Sequence, residues 1–473
     1  MATPDYWLGF QSQNNECDDV ALSLTGTLPY WLKGWLLRNG PAKYEAGSQK
    51  LNHWFDGFAK LHKFVFESEK VRYSSSFIRS KAYVQAQKQG KIVYQEFATN
   101  PETAFWQKVV SLFSPNLTDN PNVNVCKLGE RRLALTETSF VTRFDLAPLH
   151  TLGRLQFEDK LSAPITTAHP QYDFAHTTMY NLLVNVGKTN KYMVYCIKHD
   201  TRKRELLATI PVAAPGYTHS FAMSESYIIL VEFPLLLNVW ELVFSGKPYI
   251  ENYHWQADKP TRFYVINKHD GTLVATMESE ACFAFHHVNA FEKGNEIVLD
   301  VATYKDAAIV QALYLDKLQN ASAPFPAAEL SRFILNLNSK QVKQEKLSAR
   351  FLELPTIHYH AVNGRDYKYI YGASPAAPGD FLNQLVKVEI GGGEIIWKED
   401  NCFPGEPVFI ADPHKDGEDD GVVVSVVLNG KQGQSFLLVL DAKNMQEIAR
   451  AQIPQVVPFG FHGQFLRSYS TEV

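Results

Sequence analysis

The chain has 473 residues, of which 45% are hydrophobic, 20% charged and 13% aromatic, and its formal net charge is -4. This is an ordinary globular composition with enough apolar material for a large core, and the lack of a basic field excludes a nucleic-acid partner. The five cysteines (Cys17, Cys126, Cys196, Cys282 and Cys402) are scattered and include no C-x-x-C, which excludes a disulfide framework and zinc-thiolate chemistry and fits a reducing compartment.

The first residues, M-A-T-P-D-Y-W, carry neither the basic nor the apolar segment that opens a secretory signal, so a cytoplasmic location is expected. Strands are predicted wherever short apolar runs end in turn chemistry: 61–66, 192–197, 226–231, 296–301, 369–373, 421–427 and 436–441. Asp56-Gly57, Asp270-Gly271, Asn363-Gly364 and Asn429-Gly430 read as tight turns between them. One segment breaks this rhythm. Asn100-Pro101-Glu102 is a helix start, and over 104–114 Phe105, Val109, Leu112 and Phe113 share one face, which Trp106 and Val110 widen.

The most apolar stretch, 227–244, is interrupted by Glu232, Pro234, Asn238 and Glu241, whereas a spanning helix needs roughly 20 mostly apolar residues. With no linker or composition shift to divide it, the chain reads as a single domain over 1–473. Many short strands in one long domain suggest a β-propeller or a large sandwich, although no clean repeat is present.

Four histidines sit in distinct frames: His169 in T-A-H-P, His219 in Y-T-H-S-F, His286 in A-F-H-H-V-N-A-F-E and His462 in P-F-G-F-H-G. Such dispersed single residues suit separate strands delivering one imidazole each to a common axis. Glu137, Glu353 and Glu406 stand in or beside apolar runs, where a carboxylate is costly unless paired. A metal-bound imidazole needs an acceptor for its second nitrogen, and a carboxylate supplies one. Unrelated buried ion pairs account equally well for the same carboxylates. His287 would face away from His286 on a strand, while His358 and His360 would share a strand face.

These frames resemble the carotenoid cleavage oxygenases, most closely the animal-type branch that contains β-carotene oxygenases and the retinal-pigment-epithelium isomerohydrolase. The resemblance runs from L-T-G-T-L-P-Y-W-L-K-G-W-L-L-R-N-G-P (24–41) to F-H-G-Q-F (461–465), and includes H-W-F-D-G (53–57), T-E-T-S-F (136–140), F-H-H-V-N-A-F-E (285–292) and E-D-D-G-V-V-V-S-V-V (418–427). It implies an all-β, seven-bladed β-propeller with a helical and loop cap over a metal axis. It implies Fe(II) on His169, His219, His286 and His462, with Glu137, Glu353 and Glu406 supporting the last three, and it selects His286 over His287.

The activity it implies is addition of O2 across one double bond of a carotenoid or apocarotenoid, with central 15,15′ cleavage of β-carotene to retinal as the leading expectation. Cleavage at another bond and retinyl-ester isomerohydrolysis are the alternatives. Stilbene cleavage is disfavoured, because stilbene-cleaving relatives carry a lysine where this chain has Thr136. Thr136 is expected to shape the oxygen position and Tyr217 to line the substrate cleft. A peripheral membrane contact is expected through Phe105, Trp106, Val109, Leu112 and Phe113 and through Leu235 and Leu236 in the 233–240 segment. Animal relatives carry P-D-P-C-K before the 104–114 helix. This chain has T-N-P-E-T instead, which leaves docking without a lipid anchor. No protein partner is expected.

Overall fold

The computed structural model describes residues 3–102, 117–320 and 323–467. Seven antiparallel sheets of four to six strands form a seven-bladed β-propeller, and two two-stranded ribbons lie outside them. Blades 2 to 6 follow the chain in order, over 124–154, 165–211, 222–279, 283–351 and 353–397.

Blades 1 and 7 close the ring with both ends of the chain. Ser23–Gly26 is the edge strand of blade 7, pairing with Glu447–Gln452. Gly463–Arg467, the last strand, joins blade 1 by pairing with Gly34–Lys43. Neither closing blade is complete without its distant strand, so ring closure ties the first residues to the last.

Six of the seven predicted runs fall within strands, and 226–231 does so in all but its first residue; the strands are Phe58–Glu67, Lys191–Lys198, Tyr227–Glu232, Glu296–Tyr304, Tyr369–Ser374, Gly421–Asn429 and Gln434–Asp441. Their near-continuous apolar character has a simple cause: a middle strand of a blade is covered on both faces by neighbouring blades. Each of the seven junctions has its own cluster. Leu36 and Phe64 of blade 1 meet Val424 and Val439 of blade 7, and Leu182 and Val194 of blade 3 meet Ile228 and Leu230 of blade 4. Tyr371 of blade 6 meets Val423 and Leu438 of blade 7. Each such fully buried side chain is worth about 1.5–3 kcal/mol. Edge strands such as Val342–Phe351 carry no fully buried residue.

Two local expectations differ from what is seen, at Asp56-Gly57 and at His358 and His360. Asp270-Gly271 does turn between Thr261–Asn267 and Leu273–Ser279, with Gly271 at φ +75°. Asp56-Gly57 instead ends a short 3-10 turn, Trp54–Asp56, and its carboxylate is buried. Asp56 accepts the backbone N–H groups of His53 and Ala98 and the Thr99 hydroxyl, so it is a structural acceptor rather than a hairpin residue. His358 and His360 lie on the short helix Tyr359–Val362 and its N-terminal boundary, not on a strand, and Asn363-Gly364 follows that helix. The 104–114 helix, with Phe105, Trp106, Val109, Leu112 and Phe113, lies outside the described residues.

Candidate metal centre

One axial segment from each blade brings one functional side chain inward. His169 lies between Ile165–Thr166 and Gln171–Asp173 of blade 3, and His219 lies just before Ala222–Met223 of blade 4. His286 is within Phe283–Lys293 of blade 5, and His462 immediately precedes Gly463–Arg467 of blade 1. Glu353 opens the first strand of blade 6, Glu406 lies between the two axial strands of blade 7, and Glu137 is on the link that leaves Arg131–Leu135 of blade 2. The backbone of Glu137 also accepts the Thr166 N–H at 2.8 Å, which fixes that link against blade 3.

The four imidazoles converge so closely that one ligand nitrogen from each lies within 4.8 Å of all the others. Three hold a carboxylate on the outer nitrogen. His219 Nδ1 is 2.6 Å from Glu137 Oε1, His286 Nδ1 is 2.6 Å from Glu353 Oε2, and His462 Nδ1 is 2.7 Å from Glu406 Oε1. With Nδ1–H donating to an acceptor-only carboxylate, each Nε2 is left with an inward lone pair. His169 has no carboxylate partner among the described residues. It is held through its chain neighbours: Asn124 Nδ2 donates to Ala168 O at 2.9 Å, and the Thr167 hydroxyl accepts the His169 N–H at 3.3 Å.

Two observations show that this arrangement fits a divalent metal. His286 Nε2 and His462 Nε2 are 3.2 Å apart, and His169 Nε2 and His219 Nε2 are 3.1 Å apart. In the first pair neither nitrogen has a proton to share, so two lone pairs face each other unless a cation lies between them. With metal–nitrogen bonds of about 2.1 Å, two ligands at right angles stand roughly 3.0 Å apart. Charge gives the same answer. Two buried carboxylates, Glu353 and Glu406, and the partly buried Glu137 face one buried guanidinium, Arg38, which pairs with Glu406, leaving an excess that one divalent cation balances.

Three of the imidazoles are kept neutral, as ligation requires. Burial lowers the pKa of His219 and drives those of His169 and His462 well below the usual value, and neighbouring imidazoles push all three in the same direction. Burial raises Glu406 despite Arg38. Burial also acts to raise Glu353, but the charge and hydrogen bond of His286 and the Leu354 N–H outweigh it, so the pKa is lowered. Neutral imidazole sets of this kind suit iron, zinc or copper.

Aromatic rings surround the nitrogens. Phe55 stacks on His219 at 6.1 Å and Phe285 meets it edge-on at 5.2 Å. Tyr217 is buried, and its hydroxyl donates to Glu137 Oε1 at 2.7 Å, the oxygen that His219 also uses. Thr136 is buried beside Glu137, and its hydroxyl has no hydrogen-bond partner among the described residues. His287 lies outside the nitrogen cluster: its Nδ1 is 2.8 Å from the Ser220 hydroxyl on the far side of the strand.

Leu235 and Leu236 do not form an exposed surface. They are 6% and 7% exposed, because Leu235–Leu237 pairs with Tyr253–Trp255 and Leu235 packs into the aromatic core. The outward apolar side chains come next in the chain, on the helix Val239–Phe244. Trp240 and Phe244 are 76% and 68% exposed, and their rings stack at 6.0 Å. Spacing within a helix turn carried that signal, which the preceding leucine run obscured.

Several supporting residues are not evident from sequence reasoning. Arg38 could have been marked as a charge inside the apolar run W-L-L-R-N-G. Glu353 lines a small cavity with Tyr304, Phe325, Leu352 and Leu382, and the Tyr304 hydroxyl helps to hold its pKa down. Nothing in the local sequence of Tyr304 marks it.

Comparison with known proteins places this geometry in a family. The model of the family described as "Retinal pigment epithelial membrane protein" matches residues 10–467. The chain is similar to a mitochondrial carotenoid-cleaving dioxygenase of Macaca fascicularis, 32% identical, with 94% of this chain and 92% of the relative covered. It is 30% identical to a β,β-carotene 15,15′-dioxygenase of Gallus gallus, with 95% and 96% covered. Among solved structures, a variant of the Synechocystis apocarotenoid oxygenase superposes with a TM-score of 0.89 at 27% identity, covering 98% of each chain. The cobalt-substituted form of that oxygenase gives 0.88 at 26% identity, again with 98% of each chain covered. The chain therefore belongs to the retinal pigment epithelial membrane protein family, the carotenoid cleavage oxygenases.

Proposed function

We propose that the chain is a non-haem Fe(II) dioxygenase that splits one double bond of a carotenoid polyene, with central 15,15′ cleavage of β-carotene to retinal as the first bond to test. The observation that carries this reading is the set of four converging imidazoles, three of them oriented by carboxylates, beside a wall of aromatic rings. The similarity to carotenoid-cleaving and 15,15′-dioxygenases supports it.

His169, His219, His286 and His462 would hold the iron, and the iron when bound would supply the activation of O2. The balance is simple: one C=C bond and one O–O bond break, two C=O bonds form, and no proton is gained or lost. No side chain need act as base or nucleophile. The work left to the protein is orientation and exclusion of water. Glu137, Glu353 and Glu406 keep three imidazoles in the ligating tautomer. The Tyr217 ring, tied by its hydroxyl, offers a π-face to positive charge developing on the polyene. Thr136, with a free hydroxyl beside Glu137, shapes the place where oxygen enters.

The substrate is a membrane lipid, so the chain must meet a bilayer. The stacked, exposed Trp240 and Phe244 supply an interfacial contact of suitable chemistry. No helix among the described residues is long and apolar enough to cross a membrane.

Incubating iron-loaded protein with β-carotene in detergent, following O2 and identifying the aldehydes, tests the function. A single retinal product supports central cleavage, and two unequal aldehydes move the bond. Conversion of retinyl ester to retinol without O2 uptake would replace the oxygenase by an isomerohydrolase.

A further inference from the structure

Two blades that are not neighbours touch at their innermost elements. Tyr359 opens the short helix Tyr359–Val362, which follows the first strand of blade 6, Glu353–Thr356. Its hydroxyl donates to Gln171 Oε1 of blade 3 at 2.9 Å and accepts the Tyr172 N–H at 3.1 Å. Asn363 Nδ2 adds a bond to Tyr172 O at 3.1 Å. Blades 4 and 5 stand between blades 3 and 6 on one side of the ring, and blades 7, 1 and 2 on the other. A bond between the innermost elements of blades 3 and 6 therefore crosses the bore of the propeller. Gln171 follows His169 by two residues, which places the crossing about 7 Å along the strand from that imidazole.

The crossing lies toward the face away from the exposed Trp240 and Phe244. A Cβ on Gly364, just past the short helix, would meet the Ser224 carbonyl carbon at 3.3 Å, in the turn between Ala222–Met223 and Tyr227–Glu232. The segment that carries Val239–Phe244 leaves from the opposite end of Tyr227–Glu232. Blade 5 anchors the short helix: Asn289 Nδ2 donates to Val362 O at 2.8 Å and to Arg365 O at 3.0 Å.

The two sides of the centre differ in polarity. Phe55 and Phe285 pack on His219, and a hydrated divalent cation that passes such rings loses water without replacement. In the bore, Gln171, Tyr172 and Tyr359 are only half-buried despite their central position, so room for water remains beside them. Their amide and phenol oxygens can take the place of hydration.

We propose that the Tyr359–Gln171 bond is a gate in the bore, through which the divalent metal enters and leaves the four-histidine centre. The proposal rests on the metal reading of that centre and adds a route to it. The gate holds neither substrate nor bound metal. It changes the barrier for entry and for exit alike, so both rates move by one factor and the affinity, which is their ratio, stays as it was. A residue that supported the ligands would change the affinity instead.

Co(II) is the probe, because its visible absorbance reports imidazole ligation without turnover. Loading is followed by mixing the metal-stripped full chain with Co(II), and release by adding excess EDTA to the Co(II)-loaded chain. In Tyr359→Phe, which keeps the ring, both rates should rise about tenfold, the equivalent of about 1.4 kcal/mol of hydrogen bonding lost from the closed gate, with the dissociation constant unchanged. Gln171→Leu cuts the same bond from blade 3 and should raise both rates as well. Wild-type rates in either variant, or faster release with weakened affinity, would overturn the gate. A wild type that takes up no Co(II) would overturn the metal reading itself, and the gate with it.

Discussion

Tyr217 and His219 share a single acceptor: the phenol donates to Glu137 Oε1 at 2.7 Å and the imidazole reaches the same oxygen at 2.6 Å. The residue proposed to present a ring to the substrate and the residue proposed to hold the metal are thus fixed by one carboxylate. On that proposal, substrate geometry and ligand geometry are coupled through Glu137. Tyr217→Phe removes one of the two donors, a loss of about 1–1.5 kcal/mol. Iron affinity, measured by competition with a chelator, should fall about five- to tenfold. An unchanged affinity would mean that the phenol does not help to hold the carboxylate.

Arg38 is the charge partner of Glu406, and it also donates to Phe461 O at 3.0 Å, one residue before His462. Both members of the pair are 5% exposed. Removing the guanidinium alone strands a buried carboxylate, at a cost of about 3–5 kcal/mol. Arg38→Met should lower stability by that amount in urea titrations. The double variant Arg38→Met/Glu406→Gln should regain a good part of it. Additive losses would show that the pair is not coupled.

His53 gives a pH dependence that can be isolated from the metal site. It is fully buried, and burial lowers its pKa from 6.5 to about 3, against the opposing effect of its bond to Val310 O. The unfolded chain takes up a proton below pH 6.5, while the folded chain does not until about pH 3. Stability is therefore lost as pH falls through that window, at about 1.4 kcal/mol per pH unit from this residue. His53→Gln, which has no such proton to take up, should show a shallower acid slope than the wild type. Parallel stability curves between pH 6.5 and pH 4 would contradict the assignment.

The proposed membrane contact is tested at Trp240 and Phe244. Large aromatic side chains bury about 150–250 Å² each. Replacing both with serine should weaken binding to phosphatidylcholine vesicles by at least tenfold, read by sedimentation. The fold should be unaffected, because neither side chain packs in the core. Undiminished binding would move the contact elsewhere.

Much of the site is legible in the chain because each element is short and local. The seven predicted runs fall in strands, to within one residue at 226, since middle blade strands must be apolar on both faces. The histidine and glutamate frames name the seven residues that the structure brings together. What local sequence cannot show is pairing at a distance. Glu353 and His286 meet across the blade 5–6 junction, and Arg38 meets Glu406 across 368 positions. The leucines at 235 and 236 look exposed only because their strand partner, Tyr253–Trp255, is invisible from the sequence around them. Asp56 mimics a hairpin residue for the same reason: its acceptor role depends on Ala98 and Thr99, far along the chain.

Loaded with iron, the four-histidine centre is proposed to join O2 to a polyene. The most direct measurement is the stoichiometry of O2 consumed to polyene lost, with both products identified by mass. One O2 per polyene and two carbonyl products are expected, with no consumption in His219→Ala. Polyene left intact without O2 uptake by the iron-replete wild type, or full activity in an iron-free His219→Ala, would contradict it.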